Sequence, residues 1–277
     1  MAPLQIETLD DGDIVARHDG LILRTAFQPI FRYTAGRLAP IACEALLRVY
    51  RDETPVLTES WFNEIGIDAL REIEPQLFRL HIRSARHLPP DMRRLFLNID
   101  PRVSDDTAAF DTSLRILGEE LRAADISPSD IVCEITEAEN ADAAALTRFV
   151  YELRARGYRI AVDDFGAHAS RLARIGTLAP DIVKFDAKLV RRLLSTRAGT
   201  GTLAALTARF SGDGIESIFE GIEALWEIEA AEYAGAGMVQ GYVLAAPRLA
   251  GAGLARWLDQ YRAADIEPTG QMVKRFR

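Results

Sequence analysis

Carboxylates recur inside short apolar runs of this chain, where a buried strand ordinarily carries only hydrophobes. Glu44 sits in Ile41-Ala42-Cys43-Glu44-Ala45-Leu46-Leu47, and Glu134 and Glu137 in Ile131-Val132-Cys133-Glu134-Ile135-Thr136-Glu137. Asp163 and Asp164 close Tyr158-Arg159-Ile160-Ala161-Val162, and Glu220 and Glu223 sit in Ile218-Phe219-Glu220-Gly221-Ile222-Glu223. Burying an unpaired carboxylate is costly, so acids at the ends of several strands need cations or donors. One site where those strand ends converge on metal ions meets that need for all of them together.

The pattern between the acids sets the fold class. Strands are predicted at 21–31, 41–49, 95–99, 131–136, 159–163, 182–185, 217–219 and 237–239. Helical spacing falls at 61–88, 112–124, 140–156, 203–210, 224–233 and 254–263, with Pro75 marking a break in the first and Gly157 ending the third. Such alternation implies a mostly parallel sheet, and about eight strands in 277 residues favour a (β/α)8 TIM-like barrel over an open doubly wound sheet. No glycine-rich nucleotide loop favours the open sheet. The expected organisation is a loose segment over 1–13, one domain over 14–265 and a surface tail over 266–277, with 197–202 as a loop. In such a barrel the active site lies at the C-terminal strand ends, where the acids fall.

Composition narrows the function. The net charge of −8 argues against binding DNA or an anionic membrane through bulk charge, while bound divalent cations would still admit a phosphate substrate. Cys43 and Cys133 both lie in apolar runs and read as buried free thiols. No run is long enough to span a bilayer and no signal peptide is recognisable, so a reducing, cytoplasmic setting is expected.

The candidate ligands are Glu44, Asn98, Asp100, Glu134, Asp163, Asp164 and Glu220. All are oxygen donors without His or Cys, which favours Mg2+ or Mn2+ over zinc. Adjacent aspartates can each take a different ion, and two ions suit in-line attack on a phosphodiester. Lys184, inside Val183-Lys184-Phe185-Asp186, needs an acid partner or a task; depressed by metal charge, it could hold or deprotonate the attacking water. Arg48 offers a bidentate phosphate fork. Any one of these acids alone reads as a cap or a surface ion pair; their coincidence at one end of one barrel favours a site.

Phe27-Gln28-Pro29-Ile30, Glu44-Ala45-Leu46-Leu47-Arg48 and Asn98-Ile99-Asp100, followed in order by Glu134-Ile135-Thr136-Glu137, Asp163-Asp164-Phe165-Gly166, Lys184-Phe185-Asp186, Glu220-Gly221-Ile222-Glu223 and Gln240-Gly241-Tyr242, resemble the EAL-domain family of cyclic di-GMP phosphodiesterases. The resemblance covers about 26–247. It implies a modified (β/α)8 barrel with one antiparallel strand and hydrolysis of cyclic di-GMP to the linear dinucleotide pGpG with two Mg2+ or Mn2+ ions. It further implies Glu44, Asn98, Glu134 and Asp163 as ligands of one ion and Asp163 and Asp164 of the second, with Lys184, Glu220 and Glu44 catalytic. Gln28, Arg48 and Gln240 are implied to hold substrate, Glu223 and Asp186 to support it, and Glu137 to anchor the loop after Asp164. A homodimer is implied by the same resemblance.

That loop departs from the family. Where the family has Thr-Gly-Tyr-Ser-Ser-Leu, this chain has Ala167-His168-Ala169-Ser170-Arg171-Leu172. The departure motivates a second expectation, a catalytically weak domain that senses cyclic di-GMP and signals to a partner protein. No sensor or cyclase segment is expected ahead of the domain, and regulation is expected from a separate partner.

Overall fold

The computed structural model describes residues 4–34, 37–100, 102, 106–136, 143–167 and 172–263. The strands are β1 (Gln5–Thr8), β2 (Ile14–His18), β3 (Leu21–Thr34), β4 (Arg37–Arg51), β5 (Thr54–Val56), β6 (Leu95–Ile99), β7 (Ile131–Thr136), β8 (Arg159–Phe165), β9 (Ile182–Phe185), β10 (Glu216–Phe219), β11 (Met238–Val239) and β12 (Arg248–Leu249). The helices are α1 (Thr58–Ser84), α2 (Thr107–Ala123), α3 (Ala143–Ala155), α4 (Leu172–Leu178), α5 (Ala187–Leu194), α6 (Arg197–Gly212), α7 (Leu225–Tyr233) and α8 (Leu254–Ala263).

Eight strands close into a barrel in the order β3-β11-β10-β9-β8-β7-β6-β4, with β4 pairing back onto β3. All neighbours within it are parallel except those of β3, which runs antiparallel to both β4 and β11. This is the barrel with one reversed strand that the family resemblance implies. Because side chains alternate across a strand, every second residue faces the barrel interior. Ile30, Ala42, Phe96, Val132, Ala161, Ile182, Ile218 and Met238, one from each barrel strand, pack together there as a buried apolar floor. The main core lies outside, between the strands and the helices, and includes the ring contacts of Phe185 with Phe165, Phe210 and Phe219.

Several local expectations change. Residues 5–8, expected within a loose segment, form β1, which pairs antiparallel with β2; Leu4 joins a second core with Leu23, Trp61 and Leu77. The first helix continues through Pro75, and the break falls at Gly66, whose φ of 71° and ψ of 171° leave the helical region. The predicted loop at 197–202 is the start of α6, capped by the Thr196 hydroxyl on the Gly199 N–H. Its glycine reflects close packing, because a Cβ at Gly199 would collide with the backbone of Leu193 at the end of α5. The predicted tail over 266–277, the altered loop residues His168–Arg171 and Glu137 lie outside the described residues.

Candidate active site

The floor fixes what lies above it. Two residues further toward the C-terminal end of the barrel, the same inward-facing positions are Glu44, Asn98, Glu134, Asp163, Lys184, Glu220 and Gln240. On the reversed β3 the step runs the other way, from Ile30 to Gln28, which stands opposite Glu44 in the ladder. The alternation of side chains therefore lifts eight polar residues into one layer directly on an apolar base. Every ligand expected for the first ion, together with Lys184, Glu220, Gln28 and Gln240, belongs to it.

Lys184 is the electrostatic centre of this layer. Its Nζ lies 2.5 Å from Glu134 Oε1, 2.8 Å from Glu220 Oε1, 3.1 Å from Asp163 Oδ1 and 3.4 Å from Glu44 Oε2, and the side chain is 1% exposed. Burial alone would lower its pKa, but Asp163, Glu134, Glu220 and Glu44 outweigh burial and hold it well above the ordinary lysine range. Four carboxylates thus face one ammonium. The acids respond in kind. Burial, then repulsion from Glu44, pushes Glu134 well above the carboxylate range; burial, opposed by Lys184, pushes Glu220 up to about 8. Asp164 is raised by burial and by Asp163.

This excess of negative charge is the test of whether a cation fits. Among the described residues Glu134 Oε2 is buried without a partner, while Glu134 Oε1 and Asp163 Oδ1, also buried, have the Lys184 ammonium as their contact. Carboxylate oxygens of Asp163, Asp164 and Glu220 lie within 4.8 Å of one another. Consecutive residues on a regular strand point to opposite faces, yet Asp163 and Asp164 both contribute here. The register between β8 and β9 shifts after Val162, and Asp164 has a φ of 57°, which turns its side chain toward the same cluster. An all-oxygen, partly unsatisfied carboxylate cluster fits a hard divalent cation.

Neutral donors tie the layer together. Gln240 Nε2 donates to Glu44 Oε2 at 2.9 Å, Asn98 Nδ2 approaches Glu44 Oε1 at 3.5 Å, and Gln28 Nε2 donates to the Ala245 carbonyl at 3.2 Å. The remaining expected residues stand apart. Arg48 donates to the Leu47 carbonyl and lines a neighbouring cleft of about 480 Å³ with Asn98 and Asp100. Asp186 caps the N-terminus of α5 by accepting from the Lys188 and Leu189 N–H groups. Glu223 is largely exposed and pairs with Arg191 at 2.7 Å.

The sequence reading passed over two cleft residues. Glu74, 4% exposed, accepts the Asp100 N–H at 3.1 Å and is pushed up to about 8 by burial. His81, bonded through Nδ1 to the Thr25 hydroxyl at 2.9 Å, is lowered to about 4 by burial. A signal was present: Glu74 interrupts the apolar spacing of Leu70, Ile73 and Leu77 on α1.

A barrel with one reversed strand, carrying a carboxylate layer on its C-terminal ends, is the architecture of the EAL domain. The EAL domain family model matches residues 17–247, and the chain belongs to that family. It is 28% identical over 243 residues to the uncharacterized EAL-domain containing protein YkuI of Bacillus subtilis, covering 86% of this chain and 58% of the relative. It is 26% identical over 254 residues to the cyclic di-GMP phosphodiesterase RocR of Pseudomonas aeruginosa, covering 88% of this chain and 63% of the relative. The chain thus spans less than two thirds of the length of these relatives. Among solved structures it resembles YkuI in complex with cyclic di-GMP and calcium, with a TM-score of 0.70 and 25% identity over 87% of this chain and 60% of that one. It also resembles Klebsiella pneumoniae BlrP1 in a manganese and cyclic di-GMP complex, with a TM-score of 0.73 and 25% identity over 90% and 60%. Among the described residues no helix is long and apolar enough to cross a membrane.

Proposed function

We propose that this domain hydrolyses cyclic di-GMP to its linear dinucleotide with two divalent cations, Mg2+ or Mn2+, at the polar layer of the barrel. The observation that carries the reading is the cluster of Glu44, Glu134, Asp163 and Glu220 around one lysine, with Glu134 Oε2 buried and without a partner among the described residues. The likeness to RocR, named as a cyclic di-GMP phosphodiesterase, and to metal-bound cyclic di-GMP complexes of YkuI and BlrP1 supports the substrate and the need for metal.

Glu44, Asn98, Glu134 and Asp163 would hold one cation and Asp163 with Asp164 the other. When bound, the cations supply an acidified water and stabilise the leaving oxygen. Lys184, kept as an ammonium by its carboxylate neighbours, would hold the attacking water through its N–H donors, and Glu220 would accept a hydrogen bond from that water. Glu44 is held in place for this by Gln240. Gln28, Arg48 and Gln240 present the donors that phosphate oxygens need, Arg48 from the adjoining cleft. Asp186 and Glu223 would act through the loops they fix, one as the cap of α5 and the other through its pair with Arg191. The apolar floor beneath closes the layer to water from below.

Substrate choice is tested by comparing cyclic di-GMP, the linear dinucleotide and a simple chromogenic diester under identical Mn2+ conditions. The reading expects cyclic di-GMP to be cleaved far faster than the other two. Equal rates on all three would replace it with a general phosphodiesterase.

A further inference from the structure

A second pocket lies at the opposite end of the barrel. Its walls come from the ends of α1 and α2, the residues entering β6 and the β1–β2 hairpin, and it encloses about 420 Å³. The position follows from the topology: the C-termini of α1 and α2 lead into the starts of β6 and β7, whereas the polar layer sits at the strand ends. Arg93 precedes β6 and Asn98 lies near its end, so five residues of extended chain, roughly 16 Å, separate the two places.

The charge of this pocket is opposite to that of the protein as a whole. Arg83, Arg86 and Arg93 line it with a single carboxylate, Glu120, in a chain of net charge −8. Glu120 is already engaged. It accepts from Arg83 Nε and Nη2 at 2.9 Å each and from Arg79 Nε at 3.1 Å, and the hydrogen bond from Arg83 holds its pKa below the usual range. Among the described residues neither Arg86 nor Arg93 forms an ion pair, and the Arg93 Nε is buried without a hydrogen-bond partner. A buried guanidinium donor without an acceptor is costly and calls for one. The rest of the wall is apolar, including Ile82 and Ile126.

We propose that this pocket binds a small phosphorylated ligand with an apolar or planar body, of the size of a nucleoside monophosphate, with Arg86 and Arg93 as its phosphate contacts. The exposed guanidinium of Arg86 at the rim and the half-buried one of Arg93 together match the nearly double charge and several acceptor oxygens of a phosphate monoester better than one carboxylate. The apolar walls and the volume, within the usual range of small-molecule sites, accept the organic body. The site is independent of the proposed hydrolysis.

The test is calorimetric titration of the whole chain with AMP, GMP, inorganic phosphate and adenosine, in EDTA so that no divalent cation engages the polar layer. AMP or GMP should bind at least tenfold more tightly than adenosine or inorganic phosphate, and the affinity should fall with added salt. R86A/R93A should weaken nucleotide binding at least tenfold while keeping its thermal midpoint and cyclic di-GMP turnover, and E44A should leave nucleotide binding unchanged. Should R86A/R93A lose its fold, R86K/R93K, which keeps the charge and removes the planar fork, should still weaken binding severalfold. Nucleotide affinity no greater than that of adenosine or phosphate, affinity indifferent to the arginine changes, or affinity lost in E44A would overturn the assignment.

Discussion

Gln240 Nε2 donates to Glu44 Oε2 at 2.9 Å, joining residues 196 positions apart in the chain across the mouth of the barrel. The bond ties β4 to the residue following β11, one on each side of the reversed β3. Among the described residues Glu44 otherwise has only the longer approaches of Asn98 and Lys184. Gln240→Ala should therefore free the carboxylate to turn, lowering turnover at least tenfold while reducing stability by about 1–3 kcal/mol. Parallel kinetic and chemical-denaturation measurements separate the two effects. Full activity in the variant would show that this bond does not orient Glu44.

Lys184→Met removes the only ammonium that, among the described residues, contacts these four buried or half-buried carboxylates. Breaking a buried charge cluster by deleting one sign costs about 3–5 kcal/mol. The variant should melt well below the wild type in EDTA and regain much of that loss on adding Mn2+, since a cation then supplies the missing positive charge. Thermal melts of both proteins with and without metal read this directly. A loss unaffected by Mn2+ would argue against a metal site among these acids.

Glu74 gives stability a pH dependence of unusual sign for a carboxylate. Its folded pKa is raised from 4.5 to about 8 by burial. Below pH 4.5 both folded and unfolded chains hold the proton and nothing is lost. Between 4.5 and 8 the unfolded chain releases it while the folded chain keeps it, so stability falls as pH rises. Glu74→Gln keeps an oxygen for the Asp100 N–H and removes the titration. It should exceed the wild type in stability at pH 8, by on the order of 3 kcal/mol, with the gap closing near pH 4. Urea unfolding across that window measures it.

Gly241 follows the bonding glutamine, and a Cβ there would run into the backbone of Ile222, which cannot give way as a flexible side chain can. Ile222 N–H and Gln240 C=O are hydrogen-bonded at 3.1 Å, so any shift moves Gln240. Gly241→Ala should cost about 3 kcal/mol and lower turnover more than Gln240→Ala does. Denaturation and kinetics on both variants decide the order.

The layer of site residues was legible because its acids violate the expectation for buried strands, and the alternation of side chains then assigns all of them one depth in the barrel. What the sequence concealed has local causes. β1 is short, polar and mostly exposed, so no apolar alternation announces it. The opening of α6 is rich in glycine and threonine, which read as loop until the contact of Gly199 with Leu193 shows why a small residue is needed there. Pro75 suggested a helix break, but Gly66 is where the backbone leaves the helix. That four carboxylates surround the Lys184 ammonium was not legible, because it is a property of barrel closure that no single strand carries.

The central claim is that this carboxylate layer, loaded with divalent cations, cleaves cyclic di-GMP. Its most direct test is incubation of the purified chain and of Glu44→Ala with cyclic di-GMP and Mg2+ or Mn2+, with EDTA controls and chromatographic separation of products. The account predicts linear dinucleotide from the wild type only when metal is present, and none from Glu44→Ala, whose far-ultraviolet dichroism stays that of the wild type. Binding of cyclic di-GMP without product would contradict the enzyme and leave a receptor; product unaffected by EDTA or by Glu44→Ala would contradict the metal-holding role of the layer.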